Sequence, residues 1–146
     1  MGYSHYYQTK TKLGTQKQWN AFTADVNKIF KATDIPLANG RGELGTLPDV
    51  NKSVVSFNGV DDDGHETLYI ELVNTGRMDK GDKLAFNFCK TVRKPYDVVV
   101  TAVLVALKHH FPASIISSDG SMDDWQAGID FVKRELGYGS DFELKP

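Results

Sequence analysis

Apolar side chains recur along this chain in two periods, and the switches between them mark out its elements. Thr15 and Gln18 form the Thr-x-x-Gln pattern of a capping box, with Trp19, Phe22, Val26, Ile29 and Phe30 following at spacings of three and four. This predicts an amphipathic helix that ends before Pro36. Ahead of it, the Tyr-rich residues Gly2 to Thr9 read as a strand. Behind it, residues 37–52 hold Gly40, Gly42, Gly45 and Pro48 and read as a long loop, a feature often functional or mobile in a small domain.

Ser53–Asn58 and Thr67–Val73 flank the turn Asp61-Asp62-Asp63-Gly64, which predicts an antiparallel hairpin. A third strand runs from Leu84 to Cys89. There Leu84, Phe86 and Phe88 alternate with Ala85, Asn87 and Cys89, placing large apolar side chains on one face and small or polar ones on the other.

Pro95 suits the first position of a helix, and Asp97 in the first turn complements its dipole. The segment Pro95–His110 is apolar nearly all round and rich in valine, which favours a strand, but its length of about four turns favours a buried helix. A short strand, Ser114–Ser117, follows Pro112. The last helix is capped at Ser121 and carries Trp125, Ile129, Val132 and Leu136 on one stripe. The tail after Gly137 is expected to be loose. The order β-α-β-β-β-α-β-α predicts an α+β fold, a mostly antiparallel sheet with about three helices packed on it. With no repeat and no Pro/Gly/Ser linker, residues 1–146 read as a single domain.

Composition narrows the function classes. The chain is 40% hydrophobic and 25% charged, which argues against disorder. A formal charge of −2 gives no support to a general nucleic-acid-binding surface. The single cysteine, Cys89, permits no intramolecular disulfide and fits a cytoplasmic setting. No secretory signal is visible at the N-terminus, and Tyr6 stands where a myristoylation motif wants Ser or Thr. The longest apolar run, Val98–Leu107, is too short to span a bilayer.

The stretch Cys89-Lys90-Thr91-Val92-Arg93-Lys94-Pro95 carries the most chemistry. It enters a helix with three cations and a hydroxyl, and free N–H groups at a helix start attract anions such as phosphate. Arg93 suits a bidentate contact, while Lys90 and Lys94 act as point charges. No P-loop glycines precede Lys90-Thr91, and the interval between Cys89 and Arg93 is too short for a cysteine phosphatase loop. Cys89 is then either a thiol activated by nearby cations or a small core residue.

His65-Glu66-Thr67 supplies one His-x-Thr, half of the two-histidine phosphoesterase signature, and no second copy exists. Tyr69 rules out a His-Glu-x-x-His metalloprotease motif, and Asp61, Asp62 and Asp63 lack the alternation of an EF-hand. No metal and no cofactor is called for. His65 and Glu66 form a candidate acid–base pair or a simple hairpin-end contact. His109 and His110 suit the negative end of a helix dipole. Ser117-Ser118-Asp119-Gly120 is a strand-to-helix turn, either a cap or a second anion site. Tyr3, Tyr6, Tyr7, Tyr96 and Trp125 fall beside these polar motifs, where rings serve a nucleotide base or pack in a core.

Gly2-Tyr3-Ser4-His5-Tyr6, Phe57-Asn58-Gly59, His65-Glu66-Thr67, Phe88-Cys89-Lys90-Thr91 and Arg93-Lys94-Pro95-Tyr96-Asp97, with Ser118-Asp119-Gly120 and Asp124-Trp125, span nearly the whole chain. Together they resemble a family of small proteins common in bacteriophage and prophage genomes. Tyr7, Leu68 and Val92 depart from it, standing where Trp, Phe and Ala are expected. The resemblance implies a phage-related origin and assigns no catalytic residue. Small phage proteins of this size include counter-defence factors that sequester or cleave nucleotide immune signals, an analogy of gene context.

Three functional readings follow. The first is a non-enzymatic binder of a phosphate-bearing, nucleotide-derived small molecule. In it Lys90, Thr91, Arg93 and Lys94 take the anion, His5, His65 and Tyr96 complete the pocket, and Ser118 and Asp119 offer a further contact. The second is a small hydrolase or phosphodiesterase with His65 as general acid–base and Cys89 as nucleophile. The third is an inhibitor that binds a host protein, marked by an exposed apolar patch away from the cationic loop. A homo-oligomer is compatible with all three.

Overall fold

The computed structural model describes residues 2–146. Its elements are β1 (Ser4–Thr9), α1 (Gln16–Ala32), β2 (Leu37–Ala38), β3 (Asp49–Val50), β4 (Val54–Gly59), β5 (Leu68–Glu71), β6 (Ala85–Lys90), α2 (Asp97–His110), β7 (Ile115–Ser118) and α3 (Met122–Leu136). The fold is α+β, with antiparallel pairing throughout, in the expected order apart from two added two-residue strands.

The strands form two sheets. In one, β1 lies between β6 and β7; in the other, β4 pairs with β2, β3 and β5. Bridges from Lys12 to Val73 and from Arg77 to Phe86 tie the two together. The segment 37–52 is therefore not a structureless loop. β2 and β3 begin and end it, and between them the Asn39 side chain accepts from the backbone of Arg41 and Glu43. The acidic turn Asp61–Asp63 is a short, exposed 3₁₀ turn.

Thr15 and Gln18 close the capping box of α1, whose buried stripe is Trp19, Phe22, Val26 and Ile29. α2 begins at Asp97 rather than Pro95, which sits in the turn before it. Residues Val99 to Leu107 are all buried, because α1, α3 and β7 pack around this helix. Ser121 and Asp124 cap α3, and Gly137 ends it in the left-handed conformation.

The expectation of a loose tail is overturned, and the structure settles which face of β6 turns inward. The tail beyond Gly137 is packed: Phe142 stacks on Trp125 with ring centroids 5.4 Å apart, and the Lys145 N–H donates to the Ile116 carbonyl. In β6 the small residues face inward. Ala85 and Cys89 are fully buried, while Phe88 is 53% exposed and Phe86 stacks on Tyr6 across the outer face. Alternation separates two faces without saying which is inside. On that inner face Cys89 lies opposite His5 and beside Tyr96, the residue before α2.

α3 crosses α2 at Gly128, where a Cβ would stand 2.1 Å from Thr101 Oγ1 and 3.2 Å from the Ala102 nitrogen. Gly128→Ala gains about 1 kcal/mol of helix propensity but overpacks a contact, at a cost of about 1–3 kcal/mol. The expected result is a net loss, read as a Tm a few degrees lower in thermal denaturation. An unchanged or higher Tm would show that the helices have room to separate.

Candidate functional site

Antiparallel register sets the site. His5 on β1 lies opposite Cys89 on β6 and Ser118 on β7, so the three side chains form a row across the sheet. α2 starts behind that row, and its first residue, Asp97, reaches back to it. The His5 Nε2 is 2.6 Å from Asp97 Oδ1, and its Nδ1 is 2.7 Å from Ser118 Oγ. Thr91 Oγ1 donates to the same Asp97 oxygen at 2.5 Å, and the Gly120 N–H donates to Ser118 Oγ at 2.8 Å.

One proton arrangement satisfies every partner. Ser118 donates to Nδ1, the Nε2–H donates to Asp97, and Thr91 donates to Asp97 as well. The ring is wholly buried, held edge-on by Tyr3 at 5.1 Å and Trp125 at 4.8 Å between centroids. Asp97 lies at the positive end of the α2 dipole, which favours its negative charge. Ser118 is half-buried at the end of β7, just before the turn into α3.

The backbone beside the row is strained. Val92 and Arg93 have φ of 46° and 60°, a left-handed pair in which Val92 is β-branched. Such residues cost about 1–3 kcal/mol each and persist where the surrounding structure over-determines them. Here the Thr91 and Val92 N–H groups both donate to the Tyr3 carbonyl and pin the turn to β1.

The cations of this turn diverge. Arg93 lies 3.9 Å over the Tyr3 ring and pairs with Asp124 at 3.2 Å. That carboxyl is held below its usual range, first by the Ser121 backbone N–H and then by Arg93. Lys94 turns the other way and donates to the Asp62 carbonyl at 2.7 Å. The Lys90 side chain lies over Gly2, and its backbone pairs with Glu66. The expected anion site of Lys90, Arg93 and Lys94 is thus not assembled as one pocket, because Asp124 and the Asp62 carbonyl draw Arg93 and Lys94 apart.

Other sequence candidates take structural places. Tyr96 is fully buried and donates to the Glu66 carbonyl, so it lines no pocket. Asp119 accepts from the Ser4 N–H at 2.9 Å and the Tyr6 hydroxyl at 2.8 Å, clamping β1 to the β7 turn. His65 is exposed, and its backbone is held by Asn58 rather than by the His5 row.

Cys89 is buried, and desolvation pushes its thiol up to about 12, so it is not an activated nucleophile. It should ignore Ellman's reagent in the native protein and release one equivalent of chromophore in denaturant; rapid native reaction would contradict its burial. Because its folded value lies above the ordinary 9.0, it favours the native state below that pH. That stabilisation is lost as pH climbs from 9.0 toward about 12.

Asp97 and Tyr3 join the site without having been singled out for it. Burial, then Asp97 and Asp124, raise the Tyr3 hydroxyl above its ordinary range. It stays a neutral donor beside Ser118, buried and out of hydrogen-bonding geometry with any described residue. The adjacent Tyr-x-His and the Asp after Pro95 were the available signals.

No family model, curated protein or solved structure matches this chain. No helix among the described residues is long and apolar enough to cross a membrane.

Proposed function

We propose that this protein is a small hydrolase in which Ser118 is the nucleophile, His5 the general base and Asp97 the residue that orients the ring. One observation supports the reading above the others: the continuous hydrogen-bonded chain from a half-buried hydroxyl through a fixed imidazole to a carboxylate at a helix start. The ring is used in the opposite sense to the common triad, with Nδ1 toward serine, but the chemistry is the same.

Ser118 Oγ attacks an ester carbonyl or phosphorus as its proton passes to His5 Nδ1. The leaving alcohol departs with that proton, and water, deprotonated by His5, releases the acid and restores Ser118. The neutral Tyr3 hydroxyl stands beside the serine, and the exposed Arg93 guanidinium lies over the Tyr3 ring; these are the donors available for the charge that develops on oxygen. This favours anionic substrates, phosphodiesters and cyclic nucleotides among them, in keeping with the analogy of gene context to phage proteins that cleave nucleotide signals.

The divergence of Lys90, Arg93 and Lys94 tells against the pure binder formed by that turn. A second reading, docking to a host protein, draws on Phe88, Phe86 and Tyr6 on the outer sheet face. A screen of nitrophenyl esters, phosphodiesters and cyclic nucleotides separates the two. Product formation that depends on Ser118 supports the hydrolase; no product across the panel, or turnover indifferent to Ser118, overturns it.

A further inference from the structure

At the far end of α2, roughly 20 Å from Asp97 at 1.5 Å per residue, the chain builds a different site. The β1–α1 connection and the α2–β7 connection enclose an open cavity of about 200 Å³. Lys10, Lys12, Gly14, Gln18, His110 and Ser114 line it, and no carboxylate is among its lining residues.

What faces the cavity is a set of donors. Neither Lys10 nor Lys12 forms an ion pair among the described residues. The Gln18 side-chain oxygen is committed to the Thr15 N–H at 2.8 Å, which leaves its amide NH₂ as the remaining group. Asp25 fixes the His110 ring, accepting from Nε2 at 2.7 Å and from the Tyr138 hydroxyl at 2.7 Å.

Ser114 is only 2% exposed. Its N–H donates to the Phe111 carbonyl and its own carbonyl accepts from Lys108, while its hydroxyl is engaged by no described residue. α1 begins at this wall with no acid in its first turn, so the positive end of its dipole is not neutralised from within.

Two unpaired ammonium groups, a held imidazole, a free amide and a buried hydroxyl, with no acceptor charge among them, complement an oxyanion. The volume lies below the roughly 300–1,000 Å³ of pockets that enclose drug-sized ligands, so a whole dinucleotide does not fit. We propose that this cavity binds the phosphate group of a small phosphorylated molecule, independently of the chemistry at Ser118. The helix start contributes to this site but does not define it; the two lysines without ion-pair partners and the unengaged Ser114 hydroxyl do.

The test uses the full, isotope-labelled chain titrated with inorganic phosphate, with adenosine monophosphate and with adenosine, followed by amide chemical shifts. The expected result is saturable movement of the Gly14, Gln18 and Ser114 amides by the two phosphates and not by adenosine, with Kd at or below about 1 mM. Tighter binding of the monophosphate assigns the site to a phosphomonoester, and tighter binding of inorganic phosphate assigns it to the free ion. Lys10→Gln combined with Lys12→Gln should weaken both at least tenfold, whereas Lys90→Gln with Lys94→Gln should leave them unchanged. Movement confined to residues 90–97, equal affinity in the Lys10/Lys12 double variant, or no saturation by about 20 mM would overturn the proposal.

Discussion

Ser118→Ala is expected to lower kcat for any ester or phosphodiester that the wild type turns over by roughly 10⁴- to 10⁶-fold. Removing the nucleophile deletes the bond-forming atom, and neither the imidazole nor the Tyr3 and Arg93 donors can replace it. The structural cost is small by comparison. Ser118 Oγ gives up one hydrogen bond to His5 and one from the Gly120 N–H, which at typical values totals about 1–3 kcal/mol. Circular dichroism should therefore show a folded protein with Tm lowered by a few degrees. A variant that unfolds outright would leave the rate uninformative, so Ser118→Cys is the companion: it keeps a nucleophile and should retain measurable turnover of activated esters. Full activity in Ser118→Ala would reduce the row to a clip between sheet and helix.

His5→Ala is expected to give the largest loss of stability of any single change at this site. The ring is fully buried between Tyr3 and Trp125, so its removal opens a cavity. It also leaves Asp97 and Ser118 without their shared partner, and Asp97 keeps only Thr91. Together these cost about 3 kcal/mol or more, a fall in Tm on the order of 10 °C for a domain of this size. His5→Gln keeps a polar side chain of similar length and should recover part of the stability but none of the hydrolysis. That split separates the structural work of the ring from its chemical work. Equal Tm values for wild type and His5→Ala would mean that the ring is not packed as described.

Local pattern carried the elements well. The Thr15–Gln18 box and the spacing from Trp19 to Ile29 define α1 by contacts within one helix, and the Ser121 cap defines α3 in the same way. Which face of β6 turns inward was not legible, because it is set by pairing with β1, whose buried His5 and Tyr7 lie opposite Cys89 and Asn87. Nor was the packing of Phe142, whose partner Trp125 lies in another element. The site was legible only in pieces. His5, Ser118, Asp119, Thr91 and Arg93 were all named from their motifs and do gather at one end of the three-stranded sheet. The relation among His5, Asp97 and Ser118 spans 92 and 113 positions and is fixed by strand register, which no local spacing encodes. The cationic turn misled for the same reason: its charges are adjacent in sequence, but Asp124 and the Asp62 carbonyl draw them apart.

The most direct measurement is covalent. Purified protein is incubated with diisopropyl fluorophosphate, which phosphorylates serines activated by a neighbouring base with loss of fluoride, and its intact mass and peptide map are recorded. A single adduct on Ser118, absent in Ser118→Ala and strongly slowed in His5→Gln, is the predicted result. No adduct, or an adduct elsewhere with Ser118 untouched, would contradict a nucleophilic role for that hydroxyl.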